Sequence, residues 1–216
     1  PLSQVLGSKP FWTLDLKVTA DVLTPRADTE ALVETVLARC SDAPLHMLDL
    51  GTGSGAILAA LLSERAAWTG LGIDLSPAAL AVARQNLDAC ALTARARLAQ
   101  GRWGEGLRDH SFDLIVSNPP YIVREVLAGL EPEVRDHEPA MALDGGEDGL
   151  DAYRVMIADL PRLLRPGARF ALEIGFDQAG AVLGLAEAAG LTALECLQDL
   201  SGHDRVVFGQ AVLPNG

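Results

Sequence analysis

The sequence predicts an α/β domain: a doubly wound, mostly parallel seven-stranded sheet with one antiparallel edge strand, preceded by a short β-hairpin. Three observations predict it. Apolar runs of strand length alternate with periodic segments of helix length from residue 28 onward. The first buried strand, Met47-Leu48-Asp49-Leu50, runs straight into a glycine-rich turn and then a helix. The last two strands, Leu191–Leu200 and Asp204–Gln210, are separated only by Ser201-Gly202-His203. Parallel neighbours need a long crossover, so this pair is a hairpin and one edge strand runs against the rest. Strands alternating with helices place helices on both faces of the sheet. With 216 residues, 49% of them hydrophobic, the chain is long enough to bury the core of such a sheet.

Taken in order, Phe11-Trp12-Thr13-Leu14-Asp15-Leu16-Lys17-Val18 alternates as an antiparallel strand or hairpin whose aromatic pair packs rather than reacts. Residues 1–27 form this lead-in and residues 28–216 the main domain. Pro1 is not a natural start, so a segment upstream of it is expected. Asp28 or Thr29 is placed to cap a first helix over 28–40. Strands are expected near 45–50, 69–74, 95–99, 111–117, 168–174, 191–199 and 204–210, and further helices near 54–65, 77–89, 151–164 and 177–189. Ser76-Pro77 is a good helix start, since Ser caps and Pro is tolerated at the first helical position. Arg165-Pro166-Gly167 is expected to close the 151–164 helix. The stretch 118–150, rich in Glu, Asp, Gly and Pro, is the one long irregular region, and such loops usually carry function.

Charge and cysteines narrow the class. The net charge is -12, and Lys9 and Lys17 are the only lysines, so nothing global attracts a polyphosphate and no direct nucleic-acid binding is expected. Cys40, Cys90 and Cys196 form no Cys-x-x-Cys pair and have no metal-ligand spacing to the histidines; they read as reduced thiols of a cytoplasmic protein that holds no metal. No apolar stretch approaches the roughly 18 residues of a membrane span, and no charged-then-apolar signal begins the chain.

Two motifs carry the chemistry. Gly51-Thr52-Gly53-Ser54-Gly55 follows a buried strand and opens a helix, the arrangement in which backbone approaches a nucleotide closely and free N–H groups face it. Asp74 closes the next strand, where an acid accepts hydrogen bonds from ribose hydroxyls. Ala56 also completes a Gly-x-Gly-x-x-Ala pattern, so a dinucleotide dehydrogenase competes. The fourth strand decides, because it ends in Asn118-Pro119-Pro120-Tyr121. Two prolines cannot extend a ladder, so the chain leaves the sheet at Asn118 with the carbonyls of Asn118 and Pro119 held stiffly and unclaimed. Rigid acceptors beside an aromatic ring suit a planar amide or amine, which points to S-adenosylmethionine as cofactor and to an amide or amine as methyl acceptor.

These segments resemble the glutamine methyltransferases of class I peptide-chain release factors, the HemK/PrmC family. The resemblance covers nearly the whole chain. Beyond the two motifs it is carried by Phe11-Trp12, Leu23-Thr24-Pro25-Arg26-Ala27-Asp28-Thr29-Glu30, His137-Glu138-Pro139, Leu143-Asp144-Gly145-Gly146-Glu147-Asp148-Gly149-Leu150 and Gly202-His203-Asp204-Arg205-Val206-Val207. It implies S-adenosylmethionine held by Gly51, Thr52, Gly53, Ser54 and Gly55, with Asp74 on the ribose, Trp103 against the adenine and Asn118 beside the methyl. It implies that Asn118, Pro119, Pro120 and Tyr121 hold the glutamine of a release factor's Gly-Gly-Gln loop, with Asn118, Pro119 and Tyr121 catalytic. Arg102 stands where the family commonly carries Asp, and Ala27 where it usually carries proline. The family's small N-terminal helical domain has no counterpart in these residues, so the chain is expected to be a catalytic-domain fragment or an unusually short member; it is also expected to act as a monomer.

An amide nitrogen is a poor nucleophile, because its lone pair is delocalised into the carbonyl. The reading gives the Asn118 side-chain oxygen and the Pro119 carbonyl the task of accepting its two N–H bonds, with Tyr121 flanking the amide plane. His46, His110, His137 and His203 have no nucleophile partner in sequence and read as structural or solvated. Arg26, Asp28 and Glu30 shape the pocket or cap the first helix, and Glu173 either lines the site or is a polar strand end. Three alternatives share the motifs: a glutamine methyltransferase for a ribosomal protein, an adenine amino-group methyltransferase on DNA or RNA, and a non-catalytic cofactor-binding module.

Overall fold

The structure is a computed structural model and describes residues 5–135 and 137–213; the expectation about Pro1 lies outside them. Strands β1 (Ser8–Phe11) and β2 (Leu14–Lys17) pair antiparallel, with Phe11 opposite Leu14. A 3-10 turn at Ala27–Thr29 leads into α1 (Glu30–Arg39). Then come β3 (His46–Leu50), α2 (Ala56–Glu64), β4 (Thr69–Asp74), α3 (Pro77–Ala89), β5 (Ala96–Gln100) and β6 (Phe112–Ser117). The long loop holds two single-turn helices, α4 (Arg124–Leu127) and α5 (Pro132–Arg135), and a 3-10 turn at Ala140–Ala142. The chain ends with α6 (Asp151–Leu163), β7 (Leu164–Glu173), α7 (Ala179–Ala188), β8 (Thr192–Gln198) and β9 (Asp204–Gln210).

The seven main strands lie in the order β5-β4-β3-β6-β7-β9-β8. Strands β3 to β7 are parallel, and β9 runs antiparallel to both β7 and β8. The antiparallel strand therefore sits one place in from the edge. Helix α7 carries the chain from β7 past one vacant position to β8, and the short return fills that position with β9. Two expected boundaries shift. Helix α6 stops at Leu163, and Arg165-Pro166-Gly167 lies inside β7, where the register with β6 breaks between the Phe112–Leu164 and Leu114–Arg169 pairs. Pro161 in the last turn of α6 has already removed a backbone donor, and an irregular strand tolerates Pro166 where a helix end was expected. Nor does Asp28 or Thr29 cap α1 by its side chain: Thr29 is itself helical (φ -67°, ψ -19°), so its hydroxyl faces elsewhere. Ser76 does cap α3, accepting from the backbone N–H of Ala79 at 3.2 Å.

Side chains alternate across the sheet with the period of two that a pleat imposes. Met47, Leu114, Val116, Ala171, Val206 and Phe208 face α1, α2 and the hairpin, while Leu48, Leu50, Ile115, Phe170, Leu172 and Val207 face α6 and α7. The hairpin belongs to the first of these cores, burying Phe11 and Leu16. Trp12 packs beside them, donating its backbone N–H to Glu30 at 2.8 Å and its indole N–H to Glu64 at 2.8 Å. Buried Asn86 of α3 ties β2 to the glycine turn, accepting from Lys17 N–H at 2.7 Å and donating to the carbonyls of Lys17 (3.0 Å) and Ser54 (2.9 Å). Strand order reverses between β3 and β6, and the carboxyl ends there open into a crevice, the place where open α/β sheets bind ligands.

Candidate active site

A cavity of about 390 Å³ fills this crevice. Its floor is the turn after β3, where Gly51, Thr52, Gly53 and Ser54 line it, and its walls include Asp74 after β4, Trp103 after β5 and Asn118 and Pro120 after β6. Gly55 turns the chain into α2 at φ +79°, and a Cβ there would stand 3.2 Å from the Ala83 methyl. Only glycine gives both the left-handed turn and the close packing on α3. Asp74 holds the turn in shape: one carboxylate oxygen accepts from Gly53 N–H at 2.8 Å and the other from Ser76 N–H at 2.9 Å. Each oxygen keeps a lone pair for a hydroxyl ligand. Behind the turn, Thr52 donates to Asp49 at 2.7 Å. Burial pushes the Asp49 carboxyl up to about 7, the Thr52 hydrogen bond opposes this, and the charge of Asp74 adds to it.

Trp103 reaches the cavity from an irregular segment that α6 holds in place. Arg162 donates to the carbonyls of Leu107 at 2.7 Å and Gly104 at 3.0 Å, while Asp159 and Asp109 pair with its guanidinium. Arg102 also lines the cavity and presents a cation there. Opposite, the long loop closes the cavity with Pro139, Met141 and Asp144. Glu138, whose side chain is 0% exposed, anchors that loop by pairing with Arg26 at 2.6 Å and accepting from Thr24 N–H at 3.4 Å. Sequence reasoning left Arg26 open and gave no role to Glu138, Asn86 or Arg162, whose partners lie tens of residues away.

Asn118-Pro119-Pro120-Tyr121 leaves β6 at the rim. Among the described residues, no hydrogen-bond donor sits on the carbonyls of Asn118 or Pro119. The Asn118 amide nitrogen donates to the Thr29 hydroxyl at 3.2 Å, which leaves its amide oxygen free. Pro119 is buried and does not line the cavity, and neither does Tyr121. The tyrosine turns instead toward Glu173, its hydroxyl 3.4 Å from one carboxylate oxygen, so the cavity itself offers no support for a ring flanking an amide inside it. The next residues are clasped by the glycine-rich segment after Leu143. Gly145 N–H donates to Ile122 at 2.8 Å, Gln178 donates to the Tyr121 carbonyl at 3.1 Å, and a Cβ on Gly145 would lie 2.8 Å from the Tyr121 backbone.

Glu173 is 1% exposed, and its second oxygen has no hydrogen-bond partner among the described residues. Burial raises its carboxyl to about 7, while the Thr29 hydroxyl and the Arg205 charge work against burial. Tyr121 is pushed well above the usual phenol range, first by burial and then by the neighbouring Glu173. Asp28 lies 3.6 Å from Arg205, and Glu30 is taken up by Trp12. None of the four histidines lines the cavity.

The site fits S-adenosylmethionine in its donor set: backbone N–H groups and a left-handed glycine at a helix start, an acid closing the second strand, an aromatic side chain after the third, and an orphaned buried oxygen on Asp49 directly behind the turn. Comparison with known proteins agrees. The "Methyltransferase small domain" family matches residues 26–129. Release factor glutamine methyltransferases from Caulobacter vibrioides and Rhodospirillum rubrum are 54% and 49% identical over 210 residues, covering 97% of this chain in each case and 73% and 64% of those proteins. Among solved structures, a methyltransferase from Pyrococcus furiosus superposes with a TM-score of 0.70 at 16% identity, over 98% of this chain and 95% of that one. The catalytic domain of hMettl16 gives 0.72 at 14% identity, over 94% and 77%. These two structures establish the class I methyltransferase fold. The relatives establish more: the chain belongs to the release factor glutamine methyltransferase family.

Proposed function

We propose that this chain methylates the side-chain amide nitrogen of the glutamine in the Gly-Gly-Gln loop of a peptide-chain release factor. When bound, S-adenosylmethionine supplies an electrophilic methyl carbon and leaves as S-adenosylhomocysteine. The residues to hold it are Gly51, Thr52, Gly53, Ser54 and Gly55 along the turn, Asp74 for the ribose hydroxyls and Trp103 for the adenine face. The observation that carries the reading is the Asn118 side chain, its nitrogen engaged by Thr29 and its oxygen left as an acceptor at the cavity wall.

Asn118 accepts one substrate N–H through that oxygen; the second acceptor in this reading is the Pro119 carbonyl, which carries no donor among the described residues but belongs to a buried residue off the cavity wall, so the glutamine must reach past the wall to meet it. Two acceptors on one NH₂ group fix the amide plane and favour lone-pair density on nitrogen facing the methyl, so the gain comes mainly from orientation. As the N–CH₃ bond forms, the nitrogen acquires positive charge, and the carbonyl-bound proton leaves to water. Pro120 shapes the cavity wall that receives the glutamine, with Tyr121 behind it, its hydroxyl turned to Glu173. We infer a cytoplasmic monomer, and the net charge of -12 supports a reading in which it acts without contacting nucleic acid.

The test is to incubate the protein with labelled S-adenosylmethionine and a release factor, a variant with Gln→Ala in its Gly-Gly-Gln loop, a ribosomal-protein fraction, or nucleic acid. Label in the release factor alone supports the assignment. Label in nucleic acid, or in the variant as readily as in the parent, overturns it.

A further inference from the structure

We propose that Arg26 binds the α-carboxylate of the cofactor's methionyl tail. The inference rests on the cofactor reading of the cavity and not on the identity of the methyl acceptor. S-Adenosylmethionine carries one anionic group, that carboxylate, and an anion taken into a cavity needs a cation or several donors around it. The glycine turn has few to spare: the N–H groups of Thr52, Gly53 and Gly55 are already given to the Ile73 carbonyl at 2.9 Å, to Asp74 at 2.8 Å and to the Thr52 carbonyl at 2.8 Å. Among the described residues that line the cavity the cations are Arg26 and Arg102, facing Asp21, Asp74, Asp144 and Asp151. Those acids suit the sulfonium and the ammonium of the same molecule.

Strand order decides between the two arginines. Along β5-β4-β3-β6, Arg102 and Trp103 follow β5, Asp74 closes β4 and Asn118 follows β6. Adenine on Trp103, ribose on Asp74 and methyl at Asn118 run the cofactor across the sheet and away from Arg102. Strands β5 and β6 are three spacings apart, roughly 14 Å. Only a few bonds separate the tail carboxylate from the sulfur that carries the methyl, so the carboxylate belongs near Asn118. Arg26 stands there. Its carbonyl accepts from the Thr29 N–H at 3.1 Å, and the Thr29 hydroxyl accepts from the Asn118 amide at 3.2 Å.

The guanidinium is also held ready. One of its terminal nitrogens pairs at 2.6 Å with Glu138, whose side chain is 0% exposed, while the Arg26 side chain is 37% exposed and has no other acceptor among the described residues. A guanidinium carries five N–H donors in a rigid fork, so an edge fixed by one buried carboxylate leaves a second edge for another. Fixing the fork beforehand also reduces the rotamer freedom lost when the ligand arrives. An ion pair that only anchored the long loop would account for the first edge, but would give the side chain no reason to line the cavity.

The experiment measures Kd by calorimetry for S-adenosylhomocysteine, for its decarboxylated analogue and for 5′-methylthioadenosine, which lacks the whole amino-acid tail. The proteins are the parent chain, R26Q and R26K. The parent is expected to bind the decarboxylated analogue roughly 10- to 100-fold more weakly than S-adenosylhomocysteine, the scale of one charge-assisted contact. R26Q should lose a similar factor on S-adenosylhomocysteine and stay within a few-fold of the parent on the other two ligands. R26K, which keeps the charge without the fork, should fall between parent and R26Q. Equal weakening of all three ligands in R26Q would mean that the loop has opened, and overturns the carboxylate contact. So does a parent that holds the decarboxylated analogue as tightly as the intact ligand, a result that needs no variant to fold. A parent that binds none of the three overturns the cofactor assignment and this role with it. Tail-dependent binding through Arg26 without methyl transfer to a release factor would overturn the proposed acceptor and leave the Arg26 contact standing.

Discussion

Asn118 and Asp74 each face a ligand on one side and hold the protein together on the other. Replacing Asn118 by Ala removes one of two proposed acceptors without creating a buried charge. Transfer to the release factor should fall by at least about 100-fold, the scale of losing one well-placed polar group in an active site. Cofactor affinity measured by calorimetry should stay within a few-fold; near-normal turnover would remove Asn118 from the mechanism. Asp74→Ala should show the reverse order of effects. It strips the acceptor from Gly53 N–H and Ser76 N–H, so the glycine turn loosens and the proposed ribose contact goes with it. The lost ribose contact, a hydrogen bond to a charged group at about 1.5–3 kcal/mol, predicts a rise in cofactor Kd of tenfold or more, to which the loosened turn adds. An unchanged Kd would show that the carboxylate serves the turn alone.

At the scale of elements, the start of α2 and the closing of the long loop are the sensitive joints. Gly55→Ala forces a methyl into a left-handed residue and against Ala83, so urea unfolding should show a loss of roughly 1–2 kcal/mol, and an unchanged midpoint would mean that the turn relaxes. Glu138→Ala should act differently. It frees the loop whose Pro139, Met141 and Asp144 line the cavity, so weaker cofactor binding is expected ahead of any large change in stability. Equal cofactor affinity in E138A and parent would show that the ion pair closes nothing. These elements also mark what could be read from the chain alone. The glycine turn, the placing of Asp74 and Asn118 at strand ends and the tail hairpin were legible because each depends on local chemistry: positive φ, a turn residue, a strand end, a connection too short to cross over; Trp103 came from the family resemblance alone. The Ser76 cap was legible for the same reason. Arg165-Pro166-Gly167 was misjudged because a helix stop and a strand irregularity use the same residues, and only pairing with β6 separates them. Glu138, Asn86 and Arg162 were invisible, since what each does depends on a partner brought close by folding.

Over the whole molecule, two buried acids and the overall charge push stability the same way with pH. Asp49 and Glu173 both titrate at about 7 in the folded chain, mainly through burial, against ordinary values of 3.8 and 4.5. The sign follows from proton counts. Between those limits the folded state keeps protons that the unfolded state has released, so each acid lowers stability as pH rises from about 4 to about 7. Below that window both states are protonated and the contribution is flat. The acids held below their ordinary range, Asp144 by the Gly146 backbone N–H and Arg124, and Asp148 by Arg154, lose their contribution only at lower pH. Self-repulsion adds to the trend, because a chain of pI near 4.6 reaches -12 at pH 7. The cofactor-free protein should therefore unfold at lower urea near neutrality than in mild acid, by about 1.4 kcal/mol per pH unit for each buried acid within that window. D49N and E173Q should each flatten the dependence, since an amide cannot take the charge that burial penalises. A parent chain more stable at neutral than at mildly acid pH, or variants with the parent's slope, would mean that Asp49 and Glu173 are ionised at little cost, and that solvent or a bound cation reaches them in the folded state.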